Sequence, residues 1–284
     1  MKILVLGITG MLGNAMFRVL SETPSHEVYG SARSESAIHH FDGDLCQKII
    51  CGVDVENHDS LVRVWGIVNP DVVINCIGLI KQLADAEDPL HAIPINSLLP
   101  HRLAGLCQAT GARLVQISTD CVFSGTKGDY CETDFPDAHD LYGRSKLLGE
   151  VDYPHAITLR TSIIGHELAE NRSLIGWFLA QQGSVKGYTR AVFSGLPTVE
   201  LSHVVRDAVL PHPELCGLYH VAALPINKYE LLKLVADVYG KTIEIVPDDK
   251  LVIDRSLNAN RFRQATGYVV PPWNELIKRM YEFN

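Results

Sequence analysis

The chain lacks several signatures that would settle its class at once. No Cys-x-x-Cys pair occurs, and the cysteines are odd in number: Cys46, Cys51, Cys76, Cys107, Cys121, Cys131 and Cys216. A disulfide framework or a zinc site is therefore not expected. Cysteines set in apolar runs read instead as buried thiols of a reducing compartment. No run approaches the roughly 20 apolar residues of a membrane-spanning helix. No signal-peptide pattern opens the sequence, because the apolar run after Lys2 stops at Gly7. Positive charge is not in excess: the net charge is −8 with His neutral, which speaks against nucleic acid or an anionic membrane surface as partner. No Gly-x-Ser-x-Gly elbow is present, so serine-hydrolase chemistry is not expected. His39-His40 stand at no ligand spacing, and no His/Asp/Glu cluster has a metal pattern. The expected location is the cytoplasm.

What is present fits a soluble globular protein. Hydrophobic residues make up 46% of the 284 and charged residues 20%, a profile that suits one domain with a smaller appended lobe. Lys2 to Leu6 is apolar and β-rich. Gly7-Ile-Thr9-Gly10-Met11-Leu12-Gly13 follows and leads into Asn14 to Leu20. Strand, glycine turn and helix in that order suit a phosphate, because glycine admits close backbone approach and the helix start offers free N–H groups. The spacing departs from Gly-x-Gly-x-x-Gly, but the mechanics are the same. A tight turn without a ligand reads equally from these residues alone.

Further apolar runs alternate with helical patterns. His26 to Ala32 predicts a second strand ending at Arg33. A basic residue there favours NADP over NAD, because it suits a 2′-phosphate; a solvated loop arginine is the other reading. Gly52-Val-Asp54-Val55 reads as the end of a third strand. Leu61, Val62, Trp65 and Val68 recur at helical spacing. Asp71 to Ile77 is the unbroken apolar pattern of a strand covered on both faces, and Gly78 ends it. Ile95, Leu99, Leu103 and Leu106 mark another helix. Leu114 to Ile117 predicts the strand that delivers Ser118-Thr119-Asp120 to the carboxyl edge of the sheet, where ligands of open α/β sheets bind. Asp140 to Val151 reads as a helix carrying Tyr142 and Lys146 one turn apart. Ala156 to Leu159 is a sixth strand. After it, residues 166–225 mix short β-like pieces, among them Leu218-Tyr-His-Val, with turns. The expected fold is α/β: a doubly wound parallel sheet over residues 1–160, with a smaller mixed lobe over residues 161–284 from which some segments return to the first domain.

Tyr142-x-x-x-Lys146 suits proton chemistry. A phenol titrates near ~10 and a nearby ammonium lowers that value. The same spacing also occurs on solvated helix faces, so its meaning depends on its company. The glycine turn, Asn75, Ser118-Thr119-Asp120 and Tyr142-x-x-x-Lys146 occur in the order found in extended short-chain dehydrogenase/reductases, a family this chain resembles. Ser118-Thr-Asp-Cys-Val-Phe-Ser-Gly125, Tyr130-Cys-Glu132 and Leu141-Tyr-Gly-Arg-Ser-Lys-Leu-Leu-Gly-Glu150 are similar to its dTDP-4-dehydrorhamnose reductase group. Gly195-Leu-Pro-Thr198 and Gly217-Leu-Tyr-His220 match that group's C-terminal lobe.

The resemblance implies roles. Gly7, Gly10 and Gly13 would cradle a pyrophosphate, lined by Thr9, Met11 and Leu12. Asp54 and Val55 would meet adenine, and Cys76, Ile77 and Gly78 would cover a ribose. Tyr142 would protonate the C4 oxygen of a keto sugar as hydride arrives. Lys146 would hold the ribose and depress the Tyr142 pKa, and Thr119 would polarise the carbonyl. Asp120, Cys121 and Phe123 would sit beside the sugar. The implied activity is NAD(P)H-dependent 4-keto reduction of a nucleotide-linked 6-deoxy sugar for cell-surface polysaccharide. The implied partner is that substrate, with a homodimer as one open assembly. Cys121 replaces the tyrosine usual after Ser-Thr-Asp. The second carboxylate of the 4,6-dehydratases is missing. GDP-fucose synthases carry a cysteine matching Cys121 and a histidine near His166, so a bifunctional epimerase/reductase is one alternative. A non-catalytic cofactor-binding subunit is the other.

Overall fold

The computed structural model describes residues 1–79, 87–168 and 172–284. Strand β1 (Lys2–Leu6) is buried, and Gly7 at φ +83° turns the chain toward helix α1 (Met11–Ser21). Strand β2 (Glu27–Ser31) and the short β3 (Ile49–Ile50) follow, then α2 (His58–Val68) and β4 (Val72–Asn75). Asn57 caps α2 by accepting the Ser60 N–H, and Asn69 ends it in the left-handed region at φ 48°. Helix α3 (Pro89–Ala92) runs through a π-helical stretch, Ile93–Leu98, into α4 (Leu99–Thr110). Strand β5 (Arg113–Thr119), helix α5 (Leu141–Leu148) and strand β6 (Ala156–Thr161) complete the first half.

The second half continues with β7 (Ile163–Ile164), α6 (Leu174–Ala180), β8 (Ser184–Tyr188), β9 (Ala191–Phe193), β10 (Leu196–Pro197) and α7 (Thr198–Val204). Next come β11 (Gly217–His220), β12 (Ile226–Asn227) and α8 (Lys228–Val238). The chain ends with β13 (Glu244–Asp248), β14 (Ile253–Asp254), α9 (Asn260–Thr266) and α10 (Trp273–Phe283).

The main sheet has seven strands in the order β11-β6-β5-β4-β1-β2-β3, every pair parallel. Successive β1 residues face opposite sides. Ile3 and Val5 pack in one core with Phe17 of α1 and Leu201 of α7; Leu4 and Leu6 pack in another with Leu61 of α2 and Leu103 of α4. Both faces are thus covered, as the unbroken apolar runs require. A third core joins Ile175, Phe178, Leu231, Val235 and Ile277 beneath the small lobe sheets.

Three expectations need correction. The third strand ends at Ile50: Gly52, at φ 71°, turns the chain out of the ladder, and the polar stretch before β3 coils into two 3-10 segments, Glu35–His40 and Gly43–Lys48. The Leu218 segment, expected among the turns of the lobe, instead pairs with β6 as an edge strand of the main sheet. Helix α5 stops at Leu148 rather than Val151, because the chain turns inward at Gly149, where a Cβ would meet the Asn96 carbonyl oxygen.

Phe17 is fully buried and packs edge-on against Phe41 at 5.4 Å between ring centroids. Phe17→Ala is expected to destabilise the protein by about 3–5 kcal/mol, measured by denaturant unfolding.

Candidate active site

The carboxyl ends of β1, β4 and β5 all deliver predicted site residues. At the first, Gly7 donates its N–H to Ser31 Oγ at 3.3 Å. Gly13 lies so close to Gly7 that a Cβ would fall 2.1 Å from the Gly7 carbonyl oxygen. Gly10 is the N-cap of α1 and offers no side-chain cap, which leaves the first-turn N–H groups facing out of the helix. Thr9 is exposed at this turn, Met11 is half-buried and Leu12 anchors it in the core. Asn14 of the same turn has a buried side-chain oxygen with no hydrogen-bond partner among the described residues. A cradle that side chains would fill and an uncapped helix start together fit a dinucleotide phosphate.

Around this turn, Arg33 is exposed just beyond β2. The Asp54 carboxylate accepts the Glu56 N–H, and the Val55 side chain is buried in the core rather than displayed. At the end of β4, Ile77 donates its N–H to Asn75 Oδ1 at 3.1 Å, and Cys76 bonds back to the Leu6 carbonyl. Gly78 keeps a space open. A Cβ there would lie 3.6 Å from Lys146 Nζ and 3.4 Å from Asn96 Oδ1.

Asp140 caps α5 through the Gly143 N–H, and this sets Tyr142 and Lys146 one turn apart on the helix. Lys146 is buried, with Nζ donating to the Ile117 carbonyl at 2.8 Å. Burial lowers its ammonium to about 8, while Glu150 and Cys76 pull the other way. Thr119 Oγ1 accepts the Cys121 N–H at 3.1 Å and donates to Asp120 Oδ1 at 3.3 Å. Burial raises the Tyr142 phenol above its ordinary value and Cys121 adds to the rise; hydrogen bonding with Thr119 opposes it. This reverses the expected depression by Lys146. The ammonium is committed to the Ile117 carbonyl, and loss of solvent dominates at the phenol. Tyr142, Thr119, Asp120 and Cys121 form one cluster, with Lys146, Cys76 and Gly78 beside it.

Two predicted residues take other places. Phe123 is fully buried, stacked on Tyr130 at 4.0 Å, and only its carbonyl faces the cluster, where it accepts from Arg255 Nε at 2.8 Å. The 3-10 turn Asp120–Val122 ends the strand alternation and swings the ring into a small core. His166 is hydrogen-bonded through Nε2 to Tyr239 OH at 2.7 Å, and burial lowers its pKa. No described contact joins it to Cys121.

Two cations of the lobe were missed. Arg255 Nη1 approaches Cys121 Sγ at 3.8 Å. Lys228 opens α8, with Nζ 4.3 Å from the Phe193 ring centroid, and burial lowers it to about 8 against the pull of Asp120 and Cys121. A lysine at the positive end of a helix is unfavourable by itself, which was a readable signal for Lys228. Arg255 lies in a loop without any pattern.

Burial and Asp120 push the Cys121 thiol up to about 12, with Arg255 opposing. Thiolates, not thiols, are the nucleophiles. Iodoacetamide at pH 7.5 is therefore expected to modify exposed Cys216 well before Cys121, read by peptide mass spectrometry.

The RmlD substrate binding domain profile matches residues 1–283. A probable low-salt glycan biosynthesis reductase of Haloferax volcanii is 29% identical, over 92% of this chain and 85% of its own length. A dTDP-4-dehydrorhamnose reductase of Salmonella typhimurium is 27% identical, over 84% and 87%. The beta subunit of a Danio rerio methionine adenosyltransferase 2 is 26% identical, over 84% and 74%. Among solved structures, the Bacillus anthracis dTDP-4-dehydrorhamnose reductase in complex with NADP superposes with a TM-score of 0.79 at 21% identity, over 100% of this chain and 99% of that one. The chain belongs to the RmlD substrate binding domain family.

Proposed function

We propose that the chain is an NAD(P)-dependent sugar-nucleotide oxidoreductase that reduces the 4-keto group of a nucleotide-linked 6-deoxy sugar. The observation that carries this reading is the convergence of Thr119, Tyr142 and Lys146 beside the Gly7–Gly13 turn, all at one sheet edge. Gly7, Gly10 and Gly13 hold the cofactor pyrophosphate against the start of α1. Arg33 favours NADPH, because a guanidinium suits a 2′-phosphate. When bound, the nicotinamide supplies the hydride.

The protein supplies the rest. Tyr142, with its phenol held above the ordinary value, is protonated at neutral pH and able to give its proton to the C4 oxygen. The Thr119 hydroxyl, whose bond to Asp120 is long at 3.3 Å, would turn from that carboxylate to donate to this oxygen as alkoxide charge develops. Lys146, lowered only to about 8, remains largely charged at pH 7 and holds the ribose hydroxyls. Asp120 and Cys121 line the sugar. Lys228 and Arg255 add positive charge suited to a diphosphate. The names of the glycan and rhamnose reductases among the relatives support a place in cell-surface polysaccharide synthesis. No helix of the described residues is long and apolar enough to cross a membrane, which agrees with a cytoplasmic enzyme.

Epimerisation by Cys121 and His166 gains no support. The thiol is held protonated and the imidazole is engaged by Tyr239. A non-catalytic subunit is the second reading, favoured by the likeness to an adenosyltransferase beta subunit. Retention of Thr119, Tyr142 and Lys146 in one cluster favours the enzyme, since a binder needs no proton donor.

Three measurements test this. A panel of nucleotide 4-keto-6-deoxy sugars with NADPH is expected to yield 4-hydroxy products by NMR. Tyr142→Phe is expected to lower kcat by about 10²–10⁴ with cofactor binding intact, whereas unchanged turnover would refute the proton-donor role. Activity is also expected to fall as the pH rises through about 8, where Lys146 loses its charge.

A further inference from the structure

Arg255 belongs to the lobe, yet the fit of two segments brings it to the cluster. The end of β14 lies along the loop between Gly125 and Tyr130. Asp254 donates its N–H to the Gly125 carbonyl, and Tyr130 donates its own to the Ser256 carbonyl, both at 2.8 Å. Two glycines permit this approach. At Gly125, φ +88°, a Cβ would fall 2.4 Å from Ile253 Cγ1 and 3.0 Å from Arg255 Cγ. At Gly128, φ +74°, a Cβ would fall 2.5 Å from Asp254 Oδ2. The guanidinium is then held in one orientation. Its Nε donates to the Phe123 carbonyl at 2.8 Å, and the Phe123 ring is stacked on Tyr130. Nη1 donates to Cys121 Sγ at 3.8 Å. Nη2 has no hydrogen-bond partner among the described residues.

The charge of Arg255 is not matched. Among the described residues no carboxylate forms an ion pair with Arg255 or Lys228. Asp254, the chain neighbour of Arg255, accepts the Ser256 N–H at 2.9 Å. Asp120 is the acidic group of the cluster. Its Oδ1 accepts the Thr119 hydroxyl, and burial raises its carboxyl against the pull of Arg255 and Lys228. Lys228 comes from the same small sheet: it follows β12 directly, as Arg255 follows β14, and both strands pair with β9. Two cations thus share one carboxylate, and the adjoining Cys121 thiol is neutral. A cation withdrawn from water is costly unless it is paired, so this edge of the site suits an anion carried by a ligand. A planar fork with Nη2 free to donate fits an oxyanion.

Position selects which oxyanion. Thr119 Oγ1 accepts the Cys121 N–H at 3.1 Å, so one residue, Cys121, stands between the hydroxyl proposed to meet the C4 oxygen and the guanidinium. In a pyranose, C1 and its phosphate stand across the ring from C4. A nucleotide-linked 6-deoxy sugar has no carboxylate at C6, so its oxyanions are those of the diphosphate. We propose that Arg255 is a specificity-determining residue: it binds the phosphate on C1 of the sugar and thereby presents the carbon across the ring to Thr119 and Tyr142.

The inference deepens the proposed sugar-nucleotide reduction and rests on it. Its test is steady-state kinetics at saturating NADPH, with the best nucleotide 4-keto-6-deoxy sugar of the panel. In Arg255→Gln, KM is expected to rise about 10–100-fold, the loss of one charged hydrogen-bonded contact, while kcat falls by a smaller factor and NADPH affinity is unchanged. The matching nucleoside diphosphate, used as a competitive inhibitor, is expected to weaken by the same factor as KM. The nucleoside alone, which has no oxyanion, keeps its inhibition constant. An unchanged KM in Arg255→Gln, or equal weakening of nucleoside and nucleoside diphosphate, would overturn the inference and leave Arg255 a brace on the Phe123 carbonyl. Should Arg255→Gln not fold, Arg255→Lys keeps the charge without the fork: a smaller joint rise of KM and of the diphosphate inhibition constant supports the inference, and constancy of both overturns it. Absence of turnover by the unmodified protein with every sugar of the panel would instead remove the proposed function itself, and this inference with it.

Discussion

A parallel strand covered by helices on both faces can offer chemistry only at its ends, and everything else in this molecule follows from that constraint. The apolar side chains of β1, β4 and β5 are spent on the two cores. What remains accessible is the carboxyl edge, where Gly7, Cys76 to Gly78 and Thr119 leave the sheet. Helix α5 lies across this edge, with Lys146 pinned to the last carbonyl but two of β5. The lobe brings Arg255 Nη1 to 3.8 Å from Cys121 Sγ, and Lys228 feels the charge of Asp120. The site is thus built from short local segments held in place by long-range packing.

Enclosure decides the protons. Removal from water raises the phenol of Tyr142 and the thiol of Cys121, and it lowers the ammonium of Lys146. At neutral pH this leaves a protonated donor beside Thr119, a charged lysine one turn away and an unreactive thiol across from them. Such a set suits protonation of an oxygen as hydride reaches its carbon. It suits proton removal from ring carbons poorly: the Cys121 thiol is held protonated and the His166 imidazole is hydrogen-bonded to Tyr239.

Where the signal was local, the sequence was legible. The strand, glycine turn and helix at the N-terminus were readable because each depends on its own residues. So were the helix beginning near Asp140 and the Tyr142–Lys146 spacing. At the start of α8, Asn227 accepts the Glu230 N–H, a local cap, and the Glu230 carboxylate pairs with Lys233. Features fixed by distant partners were not legible. Two residues of β3 are a strand only because β2 is beside them. Leu218 belongs to the main sheet because β6 has an open edge. Phe123 turned inward because a 3-10 turn cancelled the alternation. Arg255 meets Phe123 across 132 residues of chain, which no spacing rule can reach.

The central claim is that this edge delivers hydride and proton to one carbonyl. The direct measurement supplies NADPH deuterated at C4 of the nicotinamide, in ordinary water, with a nucleotide 4-keto-6-deoxy sugar, and follows the product by NMR. The account predicts one deuterium on sugar C4 and none on the neighbouring ring carbons. Label that stays on the cofactor in the presence of every such sugar would contradict it.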